Sequence, residues 1–204
     1  MALGGIIRGK TTTLRTPVEA DLASFNRWMA DLRVRHATRI WHEPAMPATW
    51  KERLAEQTKS ENAVLWSIDS GDALAGLIRF EFGWNDHSYG WIDQFVVDPE
   101  RWGSGIGTDA ALALHRYLFD YLDMRRVNMT VRADNAAGAK IAARIGYTEF
   151  ARGSDVFYRD GGYVGEIWFL CEREAWDTRY PNEREYSLVT GVGAPVQPSA
   201  ARRA

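Results

Sequence analysis

Apolar residues recur along this chain with two different periods, and the periods divide it into elements. A β-branched stretch over 11–18 predicts a strand. Pro17 and Glu19 then open a run in which Leu22, Phe25, Trp28 and Met29 fall at helical spacing. Residues 33–46 keep neither period and read as an irregular segment carrying Arg33, Arg35, His36, Arg39, Trp41 and His42. Pro47 precedes a second amphipathic helix through Trp50, Leu54 and Gln57. Strand-like runs follow at 63–68, 74–82 and 89–97, with turn-like residues between them, and Pro99 closes the third. Beyond a glycine-rich segment, a helix is predicted over 108–122, with Ala111, Leu114, Leu118 and Tyr121 on one face. Residues 126–131 read as a strand. Residues 135–145 read as an Ala-rich helix that Gly146 stops. Residues 149–158 and 163–171 form a predicted hairpin around Asp160-Gly161-Gly162. Adjacent strands interrupted by helices indicate an α+β domain with a mixed sheet, not a doubly wound one.

The length of 204 residues suits one domain, placed at 11–180, after a leader at 1–10 and before a polar, flexible tail at 181–204. Lys and Arg total 25 against 27 for Asp and Glu, a net charge of −2. That balance provides no global basic field for nucleic acid or an anionic membrane. Cys171 is the single cysteine, so no internal disulfide forms, and the four histidines show no zinc spacing. No metal is expected. The N-terminus lacks a basic signal region, and no apolar run reaches the ~18 residues of a membrane span. A cytoplasmic location is the default expectation.

The most informative segment is Phe95-Val96-Val97-Asp98-Pro99-Glu100-Arg101-Trp102-Gly103-Ser104-Gly105-Ile106-Gly107-Thr108. A buried strand passes through a turn into three alternating glycines, and a long helix begins. Glycine lets backbone approach a ligand closely. The first amides of a helix have no internal partner and favour an anion. The unit therefore reads as a cradle for phosphate or pyrophosphate, with a tight glycine turn that holds no ligand as the alternative. A P-loop would need Lys-Ser/Thr after the last glycine, where Thr108-Asp109 stands. A dinucleotide fingerprint would need its glycines directly after the strand, yet five residues, Asp98 to Trp102, intervene.

The segment resembles the GNAT superfamily of acetyl-CoA-dependent N-acetyltransferases. The family pattern Gln/Arg-x-x-Gly-x-Gly/Ala aligns its glycines with Gly105 and Gly107. Trp102 holds the Gln/Arg position, as is usual in the RimJ/RimL-like branch. Asn135-Ala-Ala-Gly-Ala-Lys-Ile-Ala-Ala-Arg-Ile-Gly146-Tyr147 resembles the family's Asn-x-x-Ala/Ser…Lys-x-Gly-Phe/Tyr helix, and the order of elements agrees. Ile92-Asp93-Gln94-Phe95 is also similar to a segment of aminoglycoside 6′-N-acetyltransferases. The resemblance implies a GNAT-like, mostly antiparallel mixed sheet and acetyl-CoA as cosubstrate. It implies that the strand end Phe95, Val96 and Val97 pairs with the pantetheine arm. The amides of Gly103, Ser104, Gly105, Ile106, Gly107 and Thr108, beside Trp102, would hold the pyrophosphate. Asn135 would contact the cofactor, and Lys140 would meet the adenosine phosphate.

Acetyl transfer from a thioester needs a neutral amine, so a base must remove a proton from a group whose usual pKa is near 10.4. Asp93 is the first candidate, as the one acid in the apolar strand 91–97. Period two places it on the side of Trp91, Phe95 and Val97. Partial desolvation there would raise its pKa. Glu81 is the second candidate, and pairing with an arginine is the alternative reading for both. The family's tyrosine acid position holds Ala142, leaving Tyr147, Tyr158 or solvent to protonate the thiolate. Trp41, Trp84, His42 and Asp86 are candidates to line the acceptor pocket. The expected acceptor is a primary amine on a protein N-terminus or small molecule. An aminoglycoside acceptor and a non-catalytic acyl-CoA-binding regulatory module are the alternatives, and a homodimer is a possible assembly.

Overall fold

The computed structural model describes residues 5–38, 47–57, 59–83 and 88–181. Its frame is an eight-stranded sheet of order β1-β2-β3-β4-β5-β6-β8-β7. The strands are β1 (Ile7–Arg8), β2 (Thr12–Arg15), β3 (Ala63–Ser70), β4 (Ala73–Phe82), β5 (Tyr89–Val97), β6 (Arg126–Arg132), β7 (Thr148–Arg159) and β8 (Gly162–Glu172). Every neighbouring pair is antiparallel except β5 and β6. The helices are α1 (Leu22–Ala30), α2 (Leu32–Ala37), α3 (Pro47–Gln57), α4 (Ile106–Arg116), α5 (Ala136–Ile145) and α6 (Arg173–Arg179). Among the described residues no helix is long and apolar enough to cross a membrane.

Each face of the sheet has its own core. Leu22, Phe25, Trp28 and Met29 of α1, with Val34 and Trp50, pack on Leu65, Leu77 and Val96. On the other face Ile106, Ala110, Ala111 and Leu114 of α4, Ala142 and Ile145 of α5, and Trp176 of α6 cover Ile78, Phe80, Ile92, Val127 and Met129. The four apolar positions that predict α1 are its four buried residues. The sheet strands predicted at 63–68, 74–82, 89–97 and 126–131 form with ends shifted by at most two residues. Three elements exceed the sequence expectation. β1 lies in the leader, α2 replaces part of the irregular segment, and α6 follows β8.

The helix expected over 108–122 starts earlier and ends differently. Its regular turns stop at Arg116 and a π-turn spans Tyr117–Tyr121, with the Leu122 amide donating to the Tyr117 carbonyl at 3.0 Å. The wider turn rotates the chain off the 3.6-residue period. Tyr121 is therefore 49% exposed, stacked on Tyr117, instead of joining the buried face of Ala111, Leu114 and Leu118.

Asp109, in the first turn of α4, ties that helix to the turn between β1 and β2. Its carboxylate accepts the amides of Lys10, Thr11 and Thr12 at 3.0, 2.8 and 2.9 Å, and the hydroxyls of Thr11 and Thr12. Burial alone would raise its pKa; the Thr11, Lys10 and Thr12 donors outweigh that and hold it below the usual carboxylate value. Asp109→Asn is expected to cost about 2 kcal/mol, the scale of charge-assisted hydrogen bonds left unsatisfied. Urea unfolding at pH 7 checks it, and an unchanged midpoint would show that the tie carries no stability.

Candidate active site

The parallel pair β5–β6 is the only one of its kind in the described sheet, and it is incomplete. Its register runs from Tyr89 opposite Arg126 to Ile92 opposite Met129 and then ends. β5 continues to Val97 against β4, while Thr130, Val131 and Arg132 continue against β8. The two strands therefore part beyond Ile92, leaving a cleft whose β5 wall is Phe95–Val97.

A bulge in β5 sits at the point of parting. Gln94 lies opposite Arg79 and Ile92 opposite Phe80, so Asp93 is an extra residue with no opposite partner. A bulge shifts the side-chain alternation by one. Trp91 and Asp93 thus share a face with Gln94 and Val96, on the α1 side. Phe95 and Val97 turn to the α4 side and pack against that core. This corrects the expectation that Asp93, Phe95 and Val97 share a side.

Asp93 is half exposed and its carboxylate accepts from the Arg79 guanidinium. Arg79 also donates to Glu81 at 3.0 Å. One arginine therefore holds both candidate bases, across strands and along its own strand. It draws Glu81 and Asp93 into a single patch, and the 41%-exposed Trp91 stands opposite Glu81 on the same face. The two acids stand out along the sequence and Arg79 does not, because the grouping arises from the pairing of β4 with β5.

The glycine loop lies at the mouth of the cleft. Asp98 accepts the Glu100 amide at 3.0 Å and starts a tight 3₁₀ turn, Pro99–Arg101. The Trp102 ring is 48% exposed, and its Nε1–H donates to the Val97 carbonyl at 2.8 Å, folding the loop back on the strand end. Ser104 Oγ donates to the Arg101 carbonyl at 2.6 Å. Gly103 and Gly105 adopt φ of 79° and 88°, a region side chains avoid. The first bond closing into α4 is Asp109 N–H to Gly105 O at 3.0 Å. The amides of Ile106, Gly107 and Thr108 therefore precede the helix's own ladder and are available to an anion. Gly107 has a packing reason instead: a Cβ there would lie 3.3 Å from Ile141 and 3.6 Å from Val97.

Asn135 caps α5, its Oδ1 accepting the Gly138 amide at 2.9 Å. Its Nδ2 donates to the Ala37 carbonyl at the end of α2, at 2.8 Å. Lys140 is exposed on α5. Trp41, His42, Trp84 and Asp86, the expected acceptor-pocket residues, lie outside the described residues, as does the tail beyond 181.

Of the two candidate proton donors, Tyr158 is exposed near the tip of the β7–β8 hairpin, against Tyr163. Tyr147 is buried and its hydroxyl lies 2.7 Å from His115 Nε2. His115 Nδ1 faces the Ala111 carbonyl at 2.7 Å and must carry the proton, so Nε2 accepts from Tyr147. Burial pushes the Tyr147 phenol well above its usual value, with proximity to Cys171 adding to it. Cys171 is itself buried, and burial pushes its thiol up to about 12, the value of an inert core thiol.

The comparisons with known proteins agree with this geometry. Residues 11–148, more than half of the chain, match the model of the acetyltransferase (GNAT) domain. The putative ribosomal N-acetyltransferase YdaF of Bacillus subtilis is 22% identical over 164 residues, 73% of this chain and 86% of that protein. The fold is similar to that of Mycobacterium smegmatis RimJ in complex with CoA-disulfide. That match has a TM-score of 0.70 and 18% identity, over 88% of this chain and 93% of that one. It is also similar to a chimera of the spermidine N-acetyltransferase SpeG from Vibrio cholerae and hSSAT. Here the TM-score is 0.72 with 16% identity, over 82% of this chain and 98% of that one. A sheet that parts beside a glycine-capped helix, carried by a sequence that matches the domain model, places this chain in the GNAT family of enzymes, which transfer acetyl groups from acetyl-CoA to amines.

Proposed function

We propose that the acceptor is the N-terminal amine of a protein, acetylated by direct attack on the thioester within the β5–β6 cleft. The observation that carries this reading is the cleft itself, with helix amides at its mouth and the Asp93–Arg79–Glu81 patch beside its floor. The name of the relative YdaF, a putative ribosomal N-acetyltransferase, supports a protein acceptor, and that of the SpeG chimera, a spermidine N-acetyltransferase, makes a polyamine the competing one.

In this reading the amides of Gly103 to Thr108 hold the pyrophosphate, and the unpaired side of Phe95–Val97 receives the pantetheine arm. Lys140 meets the adenosine phosphate. Asp93, directly or through one water, takes a proton from the acceptor ammonium. The amine nitrogen then bonds to the acetyl carbon, and a backbone amide near Phe95 or Val96 faces the developing oxyanion. The carbon–sulfur bond breaks, the nitrogen gives up its second proton to solvent to become the amide, and the thiolate takes a proton from solvent, since Tyr147 is committed to His115. Arg79 fixes the Asp93 carboxylate on the α1 face, at the point where β5 and β6 part.

The test follows free thiol released from acetyl-CoA with N-terminal peptides, polyamines, amino acids and aminoglycosides, and weighs each product. Turnover confined to peptides supports the reading. Turnover confined to polyamines or aminoglycosides replaces the acceptor, and acetyl-CoA binding without turnover indicates a regulatory module. Asp93→Asn is expected to lower kcat about 100-fold, the scale of general-base catalysis, and to leave acetyl-CoA affinity within threefold. Retained kcat in that variant would remove Asp93 as the base.

A further inference from the structure

Helix α2 is short, and its sequence hides it, yet it is fastened at three places that are far apart in the chain. Arg33 Nη2 meets Glu100 Oε1 at 2.7 Å, in the loop that leaves β5. The Ala37 carbonyl accepts from Asn135 Nδ2 at 2.8 Å, in the turn that leaves β6. His36 Nδ1 lies 3.7 Å from Asp160, in the turn between β7 and β8. β5 and β6 run parallel, so their C-terminal ends lie together. β8 runs against β6, which brings the β7–β8 turn to the same end of the sheet. The three fastenings therefore trace a line across the mouth of the cleft, from the β5 side to the β6 side and on to the hairpin. Val34, buried in the α1-side core, anchors the middle of α2 below that line.

We infer that α2 is a strap across the cleft mouth and that Asn135 is a positioning residue. It seats the strap so that the acceptor amine meets the thioester at a fixed approach. The inference rests on the cleft as the thioester's seat, and it gives Asn135 a partner other than the cofactor. Both polar atoms of its amide already act within the protein: Oδ1 caps α5 and Nδ2 holds α2. The two halves of the site thereby share one side chain, with the α5 terminus on the cofactor side and α2 on the acceptor side.

Asn135→Ser separates the two duties. Serine is as good a helix cap as asparagine but has no amide to reach Ala37. Amide hydrogen exchange of the full-length chain, acetyl-CoA titration and steady-state kinetics would be compared in wild type and variant. Spermidine and an alanine-initiated peptide serve as acceptors. Exchange across residues 31–38 is expected to quicken, and acceptor KM to rise, each by about tenfold, the factor set by one lost partly buried hydrogen bond. The kcat should stay within twofold and the acetyl-CoA Kd within threefold. Arg33→Gln, which opens the fastening at Glu100 without touching α5, should shift acceptor KM in the same direction and serves if the serine variant fails to fold. A larger change in acetyl-CoA Kd than in acceptor KM, or no change in acceptor KM, overturns the strap. A wild-type chain that binds no acetyl-CoA would instead remove the reading of the cleft.

Discussion

Gly105→Val is expected to weaken acetyl-CoA binding by roughly 100-fold, because a β-branched residue at positive φ costs on the order of 1–3 kcal/mol and the loop relaxes to avoid it. Gly105 is the residue from which α4 departs, at φ 88°. A Cβ added there meets nothing within 4 Å, so the damage is conformational and not steric. The backbone would move to a negative φ and swing the amides of Ile106, Gly107 and Thr108 away from a common focus. The fold should survive, since Gly105 is exposed and the α4 core begins at Ile106. Gly71→Val is the control. Gly71 also has positive φ, 62°, and open space, but it lies in the β3–β4 turn. Titration of acetyl-CoA into both variants, with circular dichroism to check folding, decides the matter. A Gly105 variant that binds within threefold of wild type would sink the cradle reading.

The second large effect is on acid stability, and it comes from His115. Burial, partly offset by the Ala111 hydrogen bond, depresses its pKa from 6.5 to about 4. In the folded chain the ring stays neutral, between the Ala111 carbonyl and the Tyr147 hydroxyl and beside Trp176. In the unfolded chain it takes up a proton below pH 6.5. The stabilisation is therefore complete above that pH and is lost as the pH falls towards 4. Linkage sets the loss from this one group at about 2 kcal/mol by pH 5 and about 3 kcal/mol at pH 4. Urea unfolding at pH 7 and pH 5 measures it. His115→Phe should be less stable at pH 7, because Tyr147 loses its acceptor, yet its drop between the two pH values should be smaller by about 2 kcal/mol. Equal drops in the two proteins would assign the acid sensitivity elsewhere.

Local patterns were legible in the sequence and pairwise ones were not. The face of α1 follows from four apolar positions, and the glycine loop follows from spacing that only a tight approach to a helix start requires. Both are properties of consecutive residues. α2 escaped notice because Val34 is its one buried residue and Leu32 points to solvent. α6 escaped for the same reason, with Trp176 alone buried. The grouping of Glu81 and Asp93 around Arg79 needs the register of β4 on β5, which no single strand carries. The π-turn that exposes Tyr121 breaks a period that the residue types continue.

The bulge at Asp93 makes β5 a strand with a frameshift. Its first half and its second half obey opposite rules for which residues face α1. Substitutions on either side can be judged by the usual alternation. Deleting Asp93 itself would leave one unbroken alternation, with Gln94 and Val96 still towards α1 and Phe95 and Val97 towards α4. A one-residue deletion in the second half, by contrast, would turn every residue between it and Val97 to the other face. A graft of this strand from a relative would have to be joined on the same side of the bulge, whatever the similarity of the residues. The tolerance of the active-site strand to change is thus set less by chemistry at each position than by the count of residues between its ends.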